Sequence, residues 1–349
     1  MIYLLILVIL LIISYLESNY RIKEGLTKKS FIFFTFLILT LTASLRYNLG
    51  QDYHTYLHIY KTPNAQLRFE FLFRWLNQGF NYFKLPYPYL FGISSFITIL
   101  SVFIASKKYS EKMFLSIYLY FSIYYLYWVF SVVRQGISNS IILLSVSFIE
   151  NKKLLQVSII TIIAYGFHQS GILLILFYFL NYIKFEKNSL LIFLIITIII
   201  GQSGIFNHLI FLSPYLKSYS THGNYTATNS ILSFNVLNRF IVFFFIWLYS
   251  DQIKSKVKYG ETLINVYFWG IFLYFLMGSM SGNIATRLSG VVKTFDIFLL
   301  PAIITIETNS LKKKLVIIGI ILYSVVMFLK YFIIHWDNYI PFKTFFNHL

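Results

Sequence analysis

Apolar runs recur from one end of this chain to the other, and most gaps between them carry a lysine cluster. The clusters are Lys28-Lys29, Lys107-Lys108, Lys152-Lys153, Lys254/Lys256/Lys258 and Lys312-Lys313-Lys314. In lipid, a long apolar run must satisfy its backbone internally, which makes it a helix. Lysine in the short loops between such helices marks the cytoplasmic side. The pattern therefore predicts an all-α, polytopic membrane protein. Only 12% of the 349 residues are charged, where a soluble domain carries about a quarter. The net charge of +17 is thus a topology signal and not a nucleic-acid footprint. The absence of cysteine excludes disulfides, thiolate metal sites and cysteine nucleophiles.

The runs place spans at 1–16, 30–45, 89–106, 113–130, 134–149, 189–206, 236–250, 262–280, 288–306 and 315–334. Met1–Leu16 has no basic segment before it and no small-residue cleavage site, so it reads as a retained first span with its N-terminus outside. The region 154–183 is one long helix or a short hairpin broken near His168-Gln169-Ser170-Gly171. A leg of 14 residues rises only about 21 Å, less than a ~30 Å hydrocarbon core. Charge decides for the hairpin: with it, the inner loops hold 17 of the 29 Lys and Arg residues. The expectation is a single membrane domain, 1–349, with about 10–12 transmembrane helices and two long extracytoplasmic loops, 46–88 and 207–235. Aromatic residues from Phe69 to Phe83 predict an interfacial helix in the first loop, with a packed loop helix as the plain alternative. The second loop is polar, with Pro214 and Gly223, and reads as a lid or a simple connection.

Arginine breaks the lysine pattern. Six of seven arginines (46, 68, 74, 134, 239 and 287) and all seven histidines fall on the outer side. Arg46, Arg134, Arg239 and Arg287 stand at the outer ends of four separate spans. A guanidinium at mid-bilayer costs roughly 2.5–3.5 kcal/mol, and less near the interface. Four such groups on one side point to a site that binds a multiply charged anion, with snorkelling helix ends as the alternative. The densest polar stretch is Arg46-Tyr47-Asn48-Leu49-Gly50-Gln51-Asp52, continuing to His58. Gly50 permits a sharp turn there. Asp52 is either a functional acid or the partner of Arg46 in a loop-fixing ion pair. Arg134-Gln135 offers a planar fork and an adaptable carboxamide. His168 is a candidate base beside Gln169 and Ser170. Asp296 reads as a buried pairing residue. No phosphate-binding loop, His-Glu-x-x-His or acidic pair is present, so no metal site is expected.

The chain resembles the EpsG family of bacterial polysaccharide polymerases, relatives of the Wzy-type repeat-unit polymerases. The resemblance rests on Arg46…Gly50…Asp52…Tyr56, on Arg134-Gln135, on His168-Gln169-Ser170, and on Arg287 before an apolar run ending in Pro301. It implies a GT-C-like helical bundle in the bacterial cytoplasmic (inner) membrane, no metal and no cofactor. It also implies that oligosaccharide repeat units on undecaprenyl diphosphate are joined at the outer face. A flippase and a chain-length regulator are the implied partners. On this reading Arg46, Arg134, Arg239 and Arg287 hold the diphosphate, and His168 or Asp52 is the base. Tyr56 and Gln135 contact glycan, and the anomeric centre inverts. The competing classes are a glycosyltransferase using a polyprenyl-phosphate sugar, a glycan ligase, and a flippase of lipid-linked oligosaccharide.

Overall fold

The computed structural model describes residues 2–20, 25–62, 66, 69–205, 233–277 and 282–348. Most of the second long loop, and with it the expected lid, lies outside them. Among the described residues every regular element is helical, and the one strand-like feature is an isolated antiparallel bridge between Arg46 and Thr344. The first two apolar runs form α1 (Ile2–Tyr20) and α2 (Leu26–Ser44). The first long loop holds α3 (Tyr53–Lys61) and α4 (Phe71–Tyr82), followed by α5 (Pro88–Tyr109). Helix α6 (Met113–Tyr120) runs on as a π-helix, Phe121–Ser131, before α7 (Val133–Ile142) and α8 (Val146–Glu150). Next come α9 (Leu154–Phe167), a 3-10 turn (Gln169–Ile172), α10 (Leu173–Leu180) and α11 (Lys187–Gln202). The last third contains α12 (Phe234–Leu248), α13 (Ser250–Lys256), α14 (Gly260–Leu276), α15 (Gly282–Lys293), α16 (Asp296–Ile306) and α17 (Ser310–Ile334).

Among the described residues, four helices are long and apolar enough to cross a membrane, or six if each of two bent pairs is one span. Shorter apolar helices, α9 and α14 among them, add to these. Burial sorts the long ones into layers. The α6–π stretch is 94% buried inside the bundle, against 22% for α2 and α17. The former is apolar on all sides and forms the centre, while the latter two present apolar faces outward, as lipid-facing helices do.

One span departs from its expected start. Helix α15 begins at Gly282 and meets α16 at a 47° bend, so Arg287 lies within a helix and not before one. Pro301 sits inside α16 and has no N–H for the carbonyl of Ile297. The Ser116 hydroxyl donates to that carbonyl instead, at 2.5 Å.

The bundle has two chemically distinct ends. At one, Lys108 Nζ donates to Ser147, Lys184 pairs with Glu261, and Lys187 Nζ donates to the Leu248 carbonyl. At the other lie Arg46, Arg134, Arg239 and Arg287. The stretch after α2 is stitched there to the C-terminal segment: Tyr47 N–H donates to the Lys343 carbonyl and Gly50 N–H to that of Asn338, both at 2.9 Å. The lysine–arginine asymmetry of the sequence is therefore an asymmetry of the folded bundle.

Helices α9 and α10 form an antiparallel hairpin. Tyr178, near the end of α10, donates its hydroxyl to the carbonyl of Lys152, which precedes α9. The tip at His168–Ser170 thus points to the arginine end. A Cβ on Gly171 would lie 2.4 Å from the Tyr165 nitrogen, so this reversal needs glycine. Helix α4 packs on the hairpin through Leu72, against Gly166. Its other face exposes Trp75, and Tyr82 and Phe83 follow.

Candidate functional site

Asp52 is placed by a reversal after α2. Asn48 has φ 53° and Gly50 has φ 105°, the left-handed region that glycine tolerates. A Cβ on Gly50 would stand 2.2 Å from the Phe130 carbonyl oxygen, at the end of the π-helix. The Gln51 N–H donates to Ser131 Oγ at 3.1 Å. These contacts hold the start of α3 over the break between the π-helix and α7. There the Asp52 carboxylate faces Arg287 and Arg134. Among the described residues no group donates a hydrogen bond to it. Burial raises its pKa above the ordinary 3.8, and the two guanidiniums oppose that rise.

Arg134 opens α7 and is partly enclosed. Its Nη1 binds Glu70 Oε2, its guanidinium lies 4.6 Å from the Phe69 ring, and its backbone N–H meets the Tyr56 hydroxyl at 3.4 Å. The second Glu70 oxygen accepts the Gln169 N–H at 3.1 Å, at the hairpin tip. Glu70 was legible as an outer carboxylate, but nothing local in the sequence pairs it with Arg134. Its position before an amphipathic helix was the available signal. The neighbouring Gln135 is fully buried and donates Nε2 to the Arg287 carbonyl at 2.8 Å. Asn139, one turn on, reaches the Gly290 carbonyl at 3.4 Å. Helix α7 thereby fixes α15, and with it Arg287, beside Asp52.

His168 lies at the tip, buried, with extended backbone. Its Nδ1 accepts the Ser170 N–H at 3.2 Å and stands 2.8 Å from Ser170 Oγ. A lone pair on Nδ1 leaves the proton of a neutral imidazole on Nε2. Burial, with Arg134 and Arg287 nearby, holds the His168 pKa well below the usual histidine value. The ring is therefore neutral and presents an N–H donor, which is the geometry of a hydrogen-bonding group more than of a base. Asp52 has the unshared lone pairs and the raised pKa that a base needs.

The structure thus brings together Asp52, Arg134, His168 and Arg287, with Glu70 as an unforeseen fifth member. The other two arginines have different neighbours. Arg46 is buried, with its guanidinium 4.4 Å from the Phe91 ring and 4.7 Å from Phe130, and Nη1 donates to the Ala43 carbonyl. No Arg46–Asp52 pair forms among the described residues. Arg239 lies 3.5 Å over the Tyr274 ring, with Nη1 on the Asn235 carbonyl at 3.1 Å and Nη2 3.5 Å from Ser289 Oγ. The expected meeting of four guanidiniums is replaced by one pair and two separate seats, because large aromatic residues at the helix ends enclose Arg46 and Arg239 individually. Tyr56 and Gln135 also differ from the glycan contacts expected of them. Tyr56 is buried among Phe69, Phe73 and Phe91, and Gln135 is engaged with α15. Both support the arginines from behind.

A sequence model described as the EpsG family matches residues 29–344 of the chain. No curated protein matches it, and no solved structure does.

Proposed function

The chain belongs to the EpsG family, and from that premise we propose that it is a polysaccharide polymerase acting on undecaprenyl-diphosphate-linked oligosaccharide at the outer face of the bacterial cytoplasmic membrane. One observation carries the reading. Four separate elements bring a carboxylate, two guanidiniums and a neutral imidazole N–H to the bundle end opposite the lysine clusters. Such a set suits glycosyl transfer from a diphosphate. An acceptor sugar hydroxyl attacks the anomeric carbon of the donor chain while Asp52 takes its proton. The new glycosidic C–O bond forms as the bond from the anomeric carbon to the phosphate oxygen breaks. The electron pair leaves with the lipid diphosphate, where Arg287, Arg134 and the His168 Nε2–H stabilise the growing charge. A single displacement of this kind inverts the anomeric centre, and Asp52 then returns its proton to water.

The test is a set of single alanine substitutions at Asp52, Arg134, His168 and Arg287, read as the length distribution of surface polymer at equal protein level. Single-repeat glycans are expected to accumulate. Normal polymer in all four variants would sink the site. Loss of even single-repeat glycan from the surface would replace polymerisation with transport.

A further inference from the structure

A groove of about 610 Å³ separates α1 from α17, with Leu115 of α6 and Ile304 of α16 also lining it. That volume lies within the roughly 300–1,000 Å³ of ordinary ligand pockets. The two walls run antiparallel. At the arginine end, the Tyr3 ring of α1 lies 6.0 Å from that of Phe332 on α17 and 5.8 Å from that of Phe130. Lys314 stands about five turns earlier on α17, or about 27 Å along its axis. Ser18 of α1 and Lys314 therefore share the lysine end of the groove, while Leu11 and Ile321 share its inner end.

This placement gives the groove a polar mouth and an apolar depth. From Lys314 to Ile321 it follows α17 for about 10 Å, roughly two-thirds of one leaflet's share of a ~30 Å core. Ile12 and Ile318 line it and are more than half exposed, so it opens sideways toward lipid. The hydroxyl of Ser14, partway along, donates to the Leu11 carbonyl of its own helix at 2.9 Å. The nearest acid on α1 is Glu17, which lies outside the lining. Its carboxylate accepts the N–H groups of Phe114 and Leu115 at 2.9 and 3.4 Å, with Lys112 and Lys28 in its surroundings. Among the described residues Lys314 makes no ion pair within 4 Å. Lys312, Lys313 and Lys314 crowd the start of α17, an end where the helix dipole disfavours cations and favours an anion.

We infer that this groove seats one anionic glycerophospholipid, with its phosphate at Lys314 and an acyl chain running in toward Leu11 and Ile321. A basic group at the mouth of a cleft between membrane helices suits an anionic head, and the isoleucine-lined depth suits hydrocarbon. The occupant is distinct from the reacting lipid. A diphosphate held beside Asp52 has its head at the opposite end of the bundle, so it cannot also reach Lys314. The site therefore goes beyond the polymerase reading and does not depend on it. Bound there, the phospholipid fills the gap between two helices whose far ends meet at Tyr3 and Phe332.

The experiment is native mass spectrometry of the full chain in detergent with phosphatidylglycerol, counting retained lipids. Lys314→Gln removes the charge that lines the groove. Lys313→Gln removes an identical charge one residue away that does not line it. Ile317→Trp narrows the apolar part. Lys314→Gln and Ile317→Trp are each expected to lose one retained phosphatidylglycerol relative to wild type, while Lys313→Gln keeps it. An unchanged count in Lys314→Gln overturns the inference, as does an equal loss in Lys313→Gln. Equal retention of phosphatidylethanolamine by the wild type overturns it too, and so does displacement by equimolar undecaprenyl phosphate. Should Ile317→Trp fail to fold, the two lysine variants decide alone. The count is read with no glycan present, so it is scored apart from polymerisation at Asp52.

Discussion

Arg134 and Glu70, 64 residues apart in sequence, form an ion pair whose carboxylate also holds the tip of the α9–α10 hairpin. One acidic side chain thereby sets the spacing between a guanidinium and His168. Removing a single partner of a buried pair leaves an uncompensated charge, at about 3–5 kcal/mol when burial is complete. Arg134 keeps 25% of its side-chain surface exposed, so Glu70→Gln is expected to destabilise by the lower part of that range. The double variant Glu70→Gln/Arg134→Gln should be less destabilised than the sum of the two singles. Thermal unfolding in one detergent reads the cycle, and strict additivity would remove the pair as a structural element.

Asp52 trades stability for a usable base. Its folded pKa stands above 3.8, so the folded chain holds that proton more tightly than the unfolded chain. The group's contribution to stability is full below the unfolded value and is lost as pH rises through the folded one. At neutral pH, Asp52→Asn should abolish polymer and raise the midpoint of thermal unfolding together. An Asn variant that is inactive but less stable would contradict the burial argument.

The acid limb of the pH–rate profile should belong to Asp52. Activity rises with pH as the carboxylate ionises. Arg287 lowers that pKa, so Arg287→Gln is expected to move the limb to higher pH as well as slow the reaction. A limb that stays in place would place Arg287 outside the electrostatic reach of Asp52.

His168→Asn separates the two roles of the ring. An Asn Oδ1 can still accept the Ser170 N–H, preserving the tip, but no donor stands where Nε2–H was. The rate is expected to fall about 10²–10³-fold, the usual effect of losing one charge-stabilising donor, with the acid limb retained. Disappearance of that limb would make His168 the base after all.

The chain contains no cysteine, so single cysteines report topology directly. Cysteine at Gln169, exposed at the tip, should react with a membrane-impermeant thiol reagent in intact cells. Cysteine at exposed Lys312 should react only after the membrane is opened. The reverse pattern would turn the whole molecule over.

The sequence by itself determined that the chain is a helical membrane bundle with two unlike ends, because apolar length and short-loop charge act locally and are written in consecutive residues. It also determined the hairpin, since the short-loop lysines fall on one side only if 154–183 folds back on itself. The turn at Gly50 was legible for the same reason: its geometry belongs to one residue. Only the tertiary structure decided which polar groups meet. Gln135 reaches Arg287 across 152 positions, and Glu70 reaches Arg134 across 64. Arg46 and Arg239, equally prominent as helix-end arginines, are instead seated on Phe91 and Tyr274. A guanidinium takes whichever carboxylate, carbonyl or ring the packing of distant helices brings within about 4–6 Å, and no periodicity in the chain encodes that choice.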